Sequence, residues 1–134
     1  MLTLVLAEAE LERMPPELCN HPAVIAHARQ RGKPPRRILL DSNYHHAAMS
    51  NLPEGRRRGR PDIAHLFLLT ALESIVNKRG HLTIYIHTRH DQLITVDPTT
   101  RIMRNYERFL GLFEQLLDSH SVPDTTHPLL TLTE

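Results

Sequence analysis

The chain has 134 residues, enough for one domain with a hydrophobic core, and its 40% apolar content is that of an ordinary globular protein. One cysteine, Cys19, excludes an intramolecular disulfide framework and a cysteine-rich zinc module, and it fits a reducing, cytoplasmic setting better as a small packing residue than as a nucleophile. The net charge of +1 conceals an asymmetry: nine Lys or Arg lie between Arg29 and Arg60 against Asp41 and Glu54, whereas beyond Tyr106 a lone Arg108 faces Glu107, Glu114, Asp118, Asp124 and Glu134. Such a distribution fits a face turned toward a polyanion, although a solvated basic loop produces the same count.

MLTLVLAEAELE opens with an apolar run that lacks a basic lead and is too short for a secretory signal or a membrane span, so neither is expected. Leu2 to Leu6 reads as a short buried strand, followed by an acidic stretch that Pro15 and Pro16 interrupt. HPAVIAHARQRG predicts a helix, with Pro22 in its first turn and Gly32 as its stop. In RRILLD, Ile38, Leu39 and Leu40 predict a second buried strand, which gives a β-α-β rhythm and a mostly parallel sheet flanked by helices. DSNYHHAAMSNLPEG reads as a polar loop that runs into the arginines, so that residues 43–60 form a basic loop.

PDIAHLFLLTALESIVNK predicts one long helix ended by Gly80; Ile63, Leu66, Phe67, Leu69, Leu72, Ile75 and Val76 cover more than one face, so deep burial is expected. HLTIYIHT and LITVDP predict a hairpin across RHDQ. Pro98 opens a loop, TTRIMRNYERF, that leads into the amphipathic helix YERFLGLFEQLLDSH, and the tail ends in an apolar stretch able to form a small strand. The whole, residues 1–134, is expected to be a single α/β domain.

Ten histidines invite a metal reading, but His45 and His46 are adjacent and His87 with His90 lacks an evident third ligand, so no metal is expected. There is no GxSxG elbow, and five scattered glycines contain no phosphate-binding loop. Two arginine groups are more informative. Arg56, Arg57, Arg58 and Arg60 form one; Arg101, Arg104 and Arg108 form the other, spaced so that a helix starting near Arg101 would stack three guanidiniums on one face toward phosphates. Structural pairing with Glu107 or Glu114 explains that spacing equally well. Asp62, beside Arg60, could accept a proton or hydrogen bond from a nucleobase edge, but its position alone also suits an acid at a helix N-terminus.

Taken in order, LTLVLAEAELE, HHAAM, RGRPDIAH, NKRGHLTIYIHT and VDPTTRIMRNYERFLGLFEQLL resemble the SPOUT-class small-subunit ribosomal RNA pseudouridine methyltransferases, the Emg/Nep ribosome biogenesis family, over residues 2–133. The resemblance implies a SPOUT-like α/β fold and S-adenosylmethionine-dependent methylation of a pseudouridine ring nitrogen in a small-subunit rRNA hairpin loop. It implies Arg60 and Asp62 as catalytic residues around a flipped pseudouridine. Arg101, Arg104 and Arg108 would grip the RNA, Arg56, Arg57 and Arg58 being RNA-binding candidates from the basic run itself, with a homodimer as the assembly and neither membrane nor DNA as partner. Flipping costs a few kcal/mol and is cheapest in a loop.

Met103 stands where the family usually has proline, and SIVNK, residues 74–78, replaces Ser-Pro-Leu-Asn-Lys, which is expected to alter loop stiffness only. Family members continue past the position of Glu134 with glycine-containing loops and a trefoil knot that bind the methyl donor. The cofactor-binding residues are therefore expected beyond Glu134, with an exposed apolar surface left where they would pack. The alternative of a different class is a non-catalytic RNA-binding or ribosome-assembly module.

Overall fold

A computed structural model describes residues 1–123 and 126–134 of the chain. Five strands, β1 (Leu2–Ala9), β2 (Leu82–Thr88), β3 (Leu93–Val96), β4 (Ser121–Val122) and β5 (Leu130–Thr133), form one sheet in the order β1-β2-β3-β5-β4. The α/β class stands, but the sheet is mixed rather than mostly parallel: only β1 and β2 run parallel, and the other pairings are antiparallel. The reason lies in RRILLD. Among the described residues, residues 38–40 are extended but join no strand ladder, making only an isolated antiparallel bridge, Arg13 with Leu39, and β1 takes its parallel partner from β2 instead. The β2–β3 hairpin forms as expected, with Ile84 opposite Val96 and Ile86 opposite Ile94.

Among the described residues five α-helices accompany the sheet: α1 (Pro22–Arg31), α2 (Ser42–His45), α3 (Pro61–Leu72), α4 (Ile75–Lys78) and α5 (Tyr106–Ser119). The start of α1 is capped by the His21 ring, which accepts from the Ala23 amide, and Gly32 ends it in the left-handed conformation. Helices α3 and α5 cover the sheet face that carries Leu82, Ile84, Ile86, Ile94, Val96 and Leu132. The opposite face presents Thr3, Val5, Thr83, Tyr85 and Thr95, in keeping with the two-residue alternation of strands.

A second core cluster lies under α1. Val24 and Ala28 of α1 pack there with Met14, Leu18, Ile38, Leu40, Ala48, Met49 and Leu52. Leu39 points the other way, into the sheet core, which is why three consecutive apolar residues are all buried without belonging to a strand ladder. The stretch expected as a polar basic loop over residues 43–60 is thus largely folded: α2, a 3-10 turn at His46–Ala48 and three buried apolar side chains organise its first half.

Two further expectations change. The long helix over residues 61–78 is broken, because Ser74 donates to the Ala71 carbonyl (2.7 Å) and accepts from the Asn77 amide (3.2 Å), ending α3 and capping α4. Nor is that region deeply buried: Ile63, Leu66, Ile75 and Val76 are 46%, 67%, 72% and 40% exposed. Beside them β1 is an edge strand, not a buried one, and Leu2, Leu4 and Leu6 line with α3 an apolar groove of about 490 Å³. Among the described residues no helix is long and apolar enough to cross a membrane.

Candidate nucleic-acid interface

The arginine run does not act as one patch. Arg58 is held in a two-pronged ion pair by Glu12 (2.7 and 2.9 Å) and also donates to the Pro53 carbonyl; its side chain is only 12% exposed. Arg57 donates to Glu10 (3.0 Å), which Arg89 also contacts at 3.0 Å. These two arginines clamp the segment onto the buried acids that follow β1, so their charge is largely answered within the fold. Arg56 is exposed and has no ion pair among the described residues. Between them Gly59 (φ +71°) turns the chain; a Cβ there would lie 3.1 Å from both Leu40 Cγ and the Ser42 amide.

That turn delivers Arg60 to the N-terminus of α3, where Pro61 occupies the first helical position. Arg60 donates from Nε and Nη2 to the two oxygens of Asp62, both at 2.9 Å. The hydrogen bond from Arg60 holds the Asp62 carboxyl below the usual carboxylate range, with the guanidinium charge and the α3 amides adding to the effect. Asp62 is therefore the orienter of Arg60 and a weak proton acceptor.

A polar cavity of about 410 Å³ opens here, lined by Arg60, Asp62, Asp41, Ser42, Asn43 and Tyr106. Sequence reasoning missed Asp41 and Tyr106. Asp41 is buried at the start of α2, where Oδ1 accepts from the Asn43 amide (2.9 Å) and Oδ2 accepts from the Tyr106 hydroxyl (2.6 Å). Burial pushes its carboxyl up, the opposite of Asp62, and burial together with Asp41 raises the Tyr106 phenol. The one available signal was an acid directly after an apolar run and two residues before an asparagine, the pattern of a helix cap.

Behind Asp41, the fully buried His45 accepts from the Asp41 backbone amide at Nδ1 (3.0 Å), which leaves Nε2–H to donate to His27 Nδ1 (2.9 Å). Burial pushes His45 down to about 4 and lowers His27 as well, so both rings are neutral near pH 7. Among the described residues no three His, Cys, Asp or Glu converge to hold a metal ion.

Arg101, Arg104 and Arg108 are all exposed, with no ion pair among the described residues. They do not share one helical face, because α5 begins only at Tyr106 and Arg101 and Arg104 precede it. What fixes their loop is His65 of α3, which donates to the Met103 carbonyl (2.8 Å) and packs against Phe109. Asn105 caps α5 by accepting from the Arg108 amide (2.9 Å). Tyr106 thus sits between two free arginines and the cavity. Glu114, one structural partner considered for these arginines, pairs with Arg31 and Lys33 instead.

Comparison with known proteins places this geometry. The family model described as EMG1/NEP1 methyltransferase matches residues 4–134. The chain is 56% identical over 124 residues to the ribosomal RNA small subunit methyltransferase Nep1 of Thermococcus kodakarensis, covering 92% of this chain and 56% of that protein. It is 52% identical over 132 residues to the Nep1 of Methanothrix thermoacetophila, covering 98% and 58%. A crystal structure of Archaeoglobus fulgidus Nep1 bound to S-adenosylhomocysteine superposes with a TM-score of 0.89 at 41% identity, over 97% of this chain and 59% of that one. The chain spans a little over half the length of these relatives. On the strength of the family match and these identities, the chain belongs to the EMG1/NEP1 methyltransferase family.

Proposed function

We propose that this chain forms the RNA-reading part of an S-adenosylmethionine-dependent enzyme that methylates a ring nitrogen of pseudouridine in a small-subunit rRNA hairpin loop. The observation that carries this reading is the polar cavity with the Arg60–Asp62 pair at its wall, flanked by the exposed Arg104 and Arg108 on either side of Tyr106. An arginine held by a carboxylate presents its remaining N–H groups in a fixed direction, which suits a nucleobase carbonyl. The exposed Arg56, Arg101, Arg104 and Arg108 suit the phosphates around it, whereas Arg57 and Arg58 serve by shaping the segment. A homodimer is the assembly this reading expects, and the exposed Ile63, Leu66, Ile75 and Val76 support burial against further protein.

S-adenosylmethionine, when bound, supplies an electrophilic methyl group. The two cavities beside α3 do not by themselves fit it: the apolar groove is walled by leucine, isoleucine and valine with Phe67 and Ala71 and has only Thr70 and Ser74 as side-chain hydroxyls, and this reading gives the polar cavity to the base. What these residues do is bind RNA, orient the base and hold its ring against Arg60. The relatives' additional length is where this reading expects the donor pocket, in keeping with the S-adenosylhomocysteine bound to the Archaeoglobus protein.

Two measurements test the reading. Arg101→Ala and Arg104→Ala should each weaken binding to a pseudouridine-containing hairpin and lower the slope of log affinity against log salt by about one. Unchanged slopes in both would remove the backbone-contact assignment. In a protein that carries the donor segment of the relatives' additional length as well, incubation with S-adenosylmethionine and the same hairpin should add one methyl group to the RNA. RNA binding without methylation would select the non-catalytic RNA-binding or assembly module.

A further inference from the structure

We propose that Tyr106 and Asp41 form a hydrogen-bond acceptor that reads a ring N–H of the base, so that the cavity distinguishes pseudouridine from uridine before any methyl transfer. The inference rests on the proposed function and goes beyond it by naming how the base is chosen.

A phenol has one proton to donate and lone pairs to accept with. The 2.6 Å bond commits the Tyr106 proton to Asp41 Oδ2, so toward the cavity the phenol oxygen can only accept. Asp41 cannot turn away, because Oδ1 is held by the Asn43 amide and its backbone N–H by His45. Arg60 has committed Nε–H and one Nη2–H to Asp62, which leaves Nη1 and the second Nη2–H as donors. The wall therefore presents a donor from Arg60 and an acceptor from Tyr106.

A uracil-type ring alternates carbonyl acceptors with N–H donors. Attachment through carbon gives pseudouridine N–H groups at both ring nitrogens, whereas uridine keeps only one and presents a C–H where the second would be. At that same edge cytidine, like uridine, presents a C–H to the Tyr106 oxygen, and an amino group replaces the carbonyl beside it. Losing one such hydrogen bond is expected to change affinity by about tenfold.

The two carboxylates of the cavity divide the work. Asp62 faces an arginine and stays ionised; Asp41 is buried, bonded to a phenol and shifted the other way, the pattern by which paired acids take separate roles. Asp41 is a positioning residue, since it acts through Tyr106.

The test measures affinities for two hairpins that differ only in carrying pseudouridine or uridine at one loop position. The wild-type chain should favour pseudouridine by about tenfold. Tyr106→Phe keeps the ring against His65 and Phe109 and should abolish that preference. Asp41→Asn is nearly isosteric. Its oxygen is required by the Asn43 amide, so its amide nitrogen must face Tyr106 and turn the phenol proton toward the base. This variant should lose or reverse the preference with the tyrosine intact, and a thermal melt confirms that it folds. Arg104→Ala should lower both affinities and keep their ratio.

A preference that survives both Tyr106→Phe and Asp41→Asn overturns the proposal and leaves the RNA-binding reading standing. So does a wild-type chain that binds both hairpins equally. If neither hairpin binds at all, the underlying reading fails and takes this one with it.

Discussion

Arg60 and Asp62, the pair expected from the sequence to be catalytic, meet in the fold as a two-pronged ion pair whose geometry fixes the direction of the guanidinium. Both carboxylate oxygens of Asp62 are taken by one guanidinium, and the side chains are 44% and 49% exposed. An exposed pair contributes about 0–1 kcal/mol. Asp62→Asn should therefore leave the thermal midpoint almost unchanged but weaken binding of the pseudouridine hairpin, because Arg60 loses its fixed direction. A midpoint that falls sharply would mean that Asp62 mainly supports the α3 N-terminus. Because Asp62 has a depressed folded value, whatever the pair contributes is present above the ordinary carboxylate range and is lost as pH falls through that lower value.

At the scale of elements, two buried acids do more than the arginines that answer them. Glu114 of α5 is 3% exposed, and it accepts from Arg31 at the end of α1 (2.6 and 3.1 Å), from Lys33 (2.6 Å) and from the Leu39 amide (3.1 Å). One side chain thus joins α5, α1 and the extended segment that precedes Asp41. Removing one partner of a buried pair costs about 3–5 kcal/mol, because the other charge is left uncompensated. Glu114→Gln should lower stability by about 3 kcal/mol, read as a fall in the urea midpoint with an unchanged slope. A shift below about 1 kcal/mol would show that Arg31 and Lys33 find water instead. Glu12, equally buried, plays the matching part for Arg58 and the turn into α3.

At the scale of the whole molecule, the satellite core under α1 carries a pH dependence. His45 is buried with His27 and Arg31 nearby, and its folded value lies near 4 against 6.5 for the free side chain. Unfolding lets it take up a proton between those values, so its contribution is complete above pH 6.5 and is lost as pH falls toward 4. The linked free energy is on the order of 3 kcal/mol. His27 acts in the same direction, and Asp41, whose folded value is raised, opposes them at the acid end. Stability measured across this range should fall with acid, and His45→Gln should flatten the fall. An equal slope in the variant would locate the dependence elsewhere. Acid loosening of this cluster would also release Asp41, so binding of the pseudouridine hairpin should weaken over the same range.

What the sequence determined by itself is whatever depends on near neighbours along the chain. The Pro22-to-Gly32 helix, the β2–β3 hairpin and the amphipathic α5 all follow from periodicity and caps. Tertiary structure alone decided which strand lies beside β1, because residues 38–40 are as apolar as a strand but are divided between two cores. It also decided which arginines are free. Arg57 and Arg58 are indistinguishable from Arg56 in a charge count, yet buried acids more than forty positions away neutralise two of the three. The same holds for the cavity: Asp41 and Tyr106 lie 65 positions apart and meet only because α5 and the start of α2 converge there. A pairing over such a distance leaves no periodic mark, since it depends on chain closure and not on local preference.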